Sequence, residues 1–235
     1  MHALIRTART TGLLYLGLAI TGLVGFLFIR SQLFVADDPG ATLANLVEHE
    51  LLARAGVAFE LLIVVTQTLA AVWFYRLFRT ADPLAAGGIA AFGLINAVVI
   101  LVSAGLLGTA LHVALDPVGD AAATVQLLYL VSGDMWGVGA LFFGLWLIPM
   151  GLCVLRSGWM PRALGWILVV GGVGYLLSAF VGYLAPDVPV VADALVFPAT
   201  VGEFWMIGYL LVRGVRSQAL HEASSTERTP TPAAS

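Results

Sequence analysis

Three carboxylates stand inside stretches of chain that are otherwise free of charge: Glu60 within residues 56–75, Asp134 within 121–155 and Glu203 within 194–212. Arg54 and His112 lie at the ends of similar stretches. A carboxyl group in apolar surroundings can carry a proton, hold a cation or tie two helices together, and each role matters more there than in water. Established catalytic patterns are sparse. His49-Glu50 begins a zincin-like motif, but position 53 is alanine and supplies no second ligand. The sequence has no Gly-x-Ser-x-Gly elbow and no phosphate-binding loop. Cys153, the single cysteine, excludes a disulfide framework and a cysteine-based zinc site. With no histidine near it in sequence, it reads as a small hydrophobe. His49 and His112 could ligate a haem from two helices. Two histidines are slender support, and no cofactor is expected.

The elements that must position these groups follow from composition. Hydrophobic residues make up 60% of the 235 and charged residues 11%, with a mean hydropathy of +0.97. A soluble domain is about half apolar and about a quarter charged. So few charges cannot cover a water-soluble surface, which sets aside a soluble enzyme, a disordered chain and a nucleic-acid binder. Residues 12–29, 56–75, 84–115, 121–155, 163–185 and 194–212 form six long apolar stretches. A helix needs about 20 such residues to cross about 30 Å of hydrocarbon. Barrel strands would be about ten residues long and alternate in polarity, and these do not. The expected fold is an all-α integral membrane bundle of six transmembrane helices, one domain over residues 1–216, with the lipid bilayer as its first partner.

All eleven basic residues are arginine. Arg6, Arg9, Arg76, Arg79, Arg156, Arg162, Arg213, Arg216 and Arg228 fall on one side of the spans, and Arg30 and Arg54 on the other. The excess predicts a multi-pass protein of the cell membrane with both termini cytoplasmic. Asp37, Asp38, Glu48, Glu50, Asp116, Asp120, Asp187 and Asp193 then make the outer face acidic. Arg6 and Arg9 before an apolar run also resemble a signal peptide. The length of that run and the Ile29-Arg30-Ser31 exit, without a small-x-small site, weigh against cleavage.

Depth follows from helical rise. Glu203 is ten residues from Arg213, about 15 Å, near the midplane. Glu60 lies about 24 Å from Arg76, and Asp134 about 33 Å from Arg156, at the outer boundary. If one helix runs through the second span from His49, then His49, Gly56, Glu60 and Gln67 share a face. Arg54, six residues from Glu60, points elsewhere and must seek Asp134, Glu203, an outer-loop carboxylate or water. These residues predict a polar funnel opening outward, lined by Arg54, Glu60, His112 and Asp134, with Glu203 below.

Asp38-Pro39, Asp82-Pro83 and Asp116-Pro117 each read as a helix start, aspartate capping and proline opening the first turn. The first introduces an amphipathic outer segment with a Leu43, Leu46, Val47 and Leu51 stripe. Residues 118–133 are expected to form another before the fourth span. Gly137, Gly144 and Gly151 recur every seven residues, and Gly174, Ser178 and Gly182 every four. Such faces let helices approach closely within the bundle, or against a membrane-protein partner or second copy. The tail, 217–235, is polar and is expected to be disordered in the cytoplasm.

Several local patterns share an order. Arg9-Thr10-Thr11-Gly12-Leu13-Leu14-Tyr15-Leu16 opens the first span. His49-Glu50, Arg54 and Glu60-Leu61-Leu62 follow, then Phe142-Phe143-Gly144-Leu145, Arg156-Ser157-Gly158, Pro161-Arg162 with Gly165, and Pro198 with Gly202-Glu203. Over residues 9–216 this resembles the bacterial membrane-protein family known as domain of unknown function 4386. The resemblance implies a six-helix integral membrane protein and points first to Arg54, Glu60 and Glu203. The chain departs from the family pattern at Glu60, where aspartate is expected, and at Trp146, where histidine is frequent. Three functional classes stay open. The first is a structural or partner-binding bundle, since no catalytic constellation occurs. The second is a proton-coupled or small-molecule transporter, resting on Glu203 and the funnel. The third is an intramembrane enzyme acting on a lipid or apolar substrate.

Overall fold

A computed structural model describes residues 2–215, and the tail lies outside the described residues. The first span comprises α1 (His2–Gly22), a π-helical stretch (Leu23–Ile29) and α2 (Arg30–Leu33). A short helix, α3 (Pro39–Glu48), precedes α4 (Glu50–Phe78), α5 (Pro83–Leu115), α6 (Ala121–Ser157), α7 (Arg162–Leu184) and α8 (Pro189–Val212). Six helices among the described residues are long and apolar enough to cross a membrane. No strand occurs among them. Each spanning helix packs on its neighbour in sequence, and α1 packs on both α4 and α8, so the six form a closed ring. Short connections between antiparallel helices impose that order.

The caps follow local chemistry at two of the three Asp-Pro pairs. Asp38 Oδ1 accepts from Ala41 N–H at 2.9 Å and Asp82 Oδ1 from Ala85 N–H at 3.0 Å, with proline opening each helix. Asp116-Pro117 is different. Asp116 ends α5, and Asp120 caps α6 by accepting from Ala123 N–H at 3.0 Å. No separate outer helix occupies 118–133, because α6 runs unbroken from Ala121. Thr42 and Leu46 are the buried face of α3, whereas Val47 and Leu51 of the expected stripe remain exposed. Hydrogen bonds override the apolar pattern there: Thr42 Oγ1 accepts from Val35 N–H and Asn45 Nδ2 donates to Leu33 O.

At the end carrying the first residues, Arg156 binds Asp82 and so ties the α4–α5 turn to the α6–α7 turn. The Ala85 N–H, and then the Arg156 guanidinium, hold the Asp82 carboxyl below its ordinary value, so the tie is charged at neutral pH. Trp159 stacks on Phe78 in the same corner and its carbonyl accepts from Tyr209 O–H. Gly158, in the left-handed region at φ 66°, ends α6. The periodic glycines divide. Gly144 faces Gly172 and Gly151 faces Gly165 across the α6–α7 seam, and Gly174 lies against the Leu195 carbonyl of α8. Gly182 has open space around it.

Candidate functional site

Two polar centres lie inside the ring. The first is built around Arg30. The π-helical stretch before it brings the first span close to α4, with Gly25 against Phe59 and Gly56 against Ile29. A π-turn carries one residue more per hydrogen bond than an α-turn, which re-aims the side chains that follow. Arg30 Nη1 donates to Ser132 Oγ at 2.9 Å and Nη2 to the Tyr129 carbonyl. Its guanidinium carbon lies 5.6 Å from the Phe26 ring, 5.6 Å from Phe34 and 5.4 Å from Tyr129. Three aromatic faces thus replace most of the water a cation would otherwise keep. Gly133 leaves room for the charge, since a Cβ there would stand 3.1 Å from Arg30 Nη2.

Glu60 is buried below this centre and accepts from Trp136 Nε1–H at 3.0 Å through Oε1. Its Oε2 is buried without a hydrogen-bond partner. Arg30, Glu60 and Tyr129 line one cavity of about 10 Å³, about the space of a single water. Ser103 and Ser132 meet at 2.8 Å beside it. Deeper, Gln67 Nε2 donates to Gly93 O at 3.4 Å. Gln67 Oε1, both side-chain polar atoms of Asn96 and Trp146 Nε1 are buried and unpartnered. Glu60 and Gln67 are seven apart on α4, as Asn96 and Ser103 are on α5, so one inward face of each helix makes a polar seam.

The second centre is at mid-depth. Tyr15 O–H donates to Glu203 Oε1 at 2.6 Å, joining α1 to α8. Tyr15 is held edge-on to Phe74 at 5.2 Å and tilted on Trp146 at 5.9 Å. Gly202 lets α7 come close beside this contact, a Cβ there lying 3.1 Å from Leu168. Glu203 and Tyr15 line a cavity of about 330 Å³ between α1, the π-helical stretch, α6 and α8. Its walls include Phe26, Trp136, Phe143 and Phe204. Leu23, Leu27 and Phe204 on its rim are exposed on the outside of the ring, so the cavity opens sideways. Trp136 belongs to both centres: its ring walls the cavity, 4.6 Å from Phe26, while its N–H holds Glu60.

The structure separates the five residues of the expected funnel. Glu60 and Glu203 are inside, each with an aromatic donor. Arg54 is outside: it pairs with Glu50, one turn away at 2.6 Å, with 58% of its side chain exposed. His112 and Asp134 are also exposed. The helix expected to run through His49 breaks there, at φ −111° and ψ 44°, so His49 leaves the Gly56–Glu60–Gln67 face. Arg30, Tyr15, Trp136 and Asn96 are the residues that sequence reasoning missed. Tyr15 sits in the opening motif and Asn96 is a lone amide in the longest charge-free stretch, signals that mark both.

A closed ring of six membrane-length helices, with carboxylates held inward and lipid-length apolar faces outward, defines a multi-pass membrane protein. The chain belongs to the family described as Domain of unknown function (DUF4386), whose model matches residues 10–214. No curated protein and no solved structure matches it.

Proposed function

We propose that the protein binds a small, largely apolar molecule drawn laterally from the bilayer. The observation that carries this reading is the cavity of about 330 Å³ that opens sideways and is lined by the Tyr15–Glu203 pair. Its size lies at the lower end of small-molecule sites, about 300–1,000 Å³, and such sites combine apolar walls with a few placed polar groups. Gly22 lines the cavity and has nothing within 4 Å of a Cβ built on it. Gly22→Leu therefore fills the space without disturbing the helix. In a membrane preparation, an apolar photoactivatable probe is expected to label wall residues in the parent protein. Gly22→Leu is expected to reduce that labelling at least several-fold. Equal labelling of both proteins would exclude the cavity as a binding site.

The arginine excess favours the cell membrane and an orientation with both termini cytoplasmic. Thr80 in the α4–α5 turn and Asp187 in the α7–α8 loop are exposed on opposite ends, and the native Cys153 is buried. In intact cells a membrane-impermeant thiol reagent is expected to label Asp187→Cys and spare Thr80→Cys. The reverse pattern would invert the topology.

A further inference from the structure

We infer that the molecule taken by the lateral cavity is a lipophilic ammonium cation, with its charge seated between the Glu203 carboxylate and the aromatic walls. This inference rests on the reading of the cavity as a binding site and adds the chemistry of its occupant. The donors that border the cavity are committed elsewhere. Tyr15 O–H points to Glu203 Oε1 at 2.6 Å, and Trp136 Nε1–H points to Glu60 at 3.0 Å. Among the described residues, no Arg, Lys or His lines the cavity, and the one further hydroxyl on it belongs to Thr200. A ligand that needs strong donors, such as a carboxylate or a phosphate, therefore meets none.

What the cavity does present is negative. Tyr15 occupies one Glu203 oxygen and leaves the other for a ligand. Phe26, Trp136, Phe143 and Phe204 supply its aromatic walls, the first three packed in a row with ring centroids 4.6 and 6.4 Å apart. A free carboxylate oxygen beside apolar aromatic walls matches a cation whose charge is spread over alkyl groups. The same pairing relieves Glu203, because a carboxylate near the bilayer centre is costly to keep ionised without a counter-charge. Cavity volume also suits a substituted ammonium better than a bare metal ion, which would leave most of the space unfilled.

Two probes of equal shape test the inference: benzyltrimethylammonium, and neopentylbenzene, in which carbon replaces the charged nitrogen. Binding is read from the rise in melting temperature of the full-length protein in one detergent as each probe is titrated. The expected result is at least a tenfold preference for the cation in the parent protein, about 1.4 kcal/mol. Glu203→Gln, whose amide oxygen still accepts from Tyr15, is expected to bind both probes alike. Gly22→Leu is expected to bind neither, and serves as an independent variant should Glu203→Gln not fold. Equal binding of the two probes to the parent would overturn the cation inference while the apolar cavity stands. Binding of neither probe would overturn both readings. A cation preference that survives Glu203→Gln would place the charge elsewhere and overturn the inference.

Discussion

Arg30→Ala is expected to lower the stability of the detergent-solubilised protein by about 2–4 kcal/mol, the loss of two charge-assisted hydrogen bonds and an aromatic cage. The substitution takes the second donor from the Tyr129 carbonyl, leaves Ser132 with Ser103 alone, and removes the cation that shares a cavity with Glu60. Arg54→Ala provides the contrast. Its bond to Glu50 is an exposed pair within one helix, so the expected change is about 0.5 kcal/mol or less. The pair Arg30→Met with Glu60→Gln sharpens the comparison. If Arg30 compensates the Glu60 carboxylate, the double variant loses less than the sum of the two single ones. Equilibrium unfolding of the five variants measures all of this. An Arg54→Ala loss equal to that of Arg30→Ala, or strict additivity in the pair, would remove Arg30 from its place as the internal counter-charge.

Gly144→Ala and Gly151→Ala are each expected to destabilise the fold by about 1–3 kcal/mol, the usual scale for forcing extra volume into a packed core. A Cβ at Gly144 would lie 2.6 Å from the Gly172 carbonyl oxygen, and one at Gly151 would lie 2.6 Å from that of Gly165. Both obstacles are backbone, so α6 and α7 must separate. Gly182→Ala and Gly208→Ala meet open space and gain helix propensity, for an expected rise of up to about 1 kcal/mol. The sign of the effect thus splits glycines that look alike in sequence. The same unfolding assay reads it. Loss at Gly182 as large as at Gly151 would mean that the C-terminal end of α7 packs on something beyond this chain.

Much of this architecture is legible from residue order alone. Stretches such as 84–115 are long and charge-free, and a bilayer leaves them no alternative to a helix, because every backbone N–H and C=O must be bonded within the segment. Asp38-Pro39 and Asp82-Pro83 start helices because capping acts within three residues. Glu60 and Glu203 stood out as candidates because a carboxyl group inside an apolar run is rare and expensive wherever it sits. Each accepts a hydrogen bond from an aromatic side chain, as that cost requires.

What remained was decided by the rotation of each helix about its axis and by which neighbour it meets. Hydropathy sets no such angle in a helix as uniformly apolar as α5, so Asn96 and Ser103 could not be assigned a side before α4 and α6 were in place. Arg54 and Arg30 are both arginines at span ends on the same side of the bundle, equivalent by composition. The Glu50 carboxylate one turn away keeps the first at the surface, whereas the π-helical stretch turns the second into the ring beside Phe26, Phe34 and Tyr129. Tyr15 and Glu203 are 188 residues apart, and their bond exists because the last helix closes against the first. Local energetics select helices and their ends; contacts between distant segments select which polar atoms meet, since a buried group is satisfied by whichever partner the packed ring brings within reach.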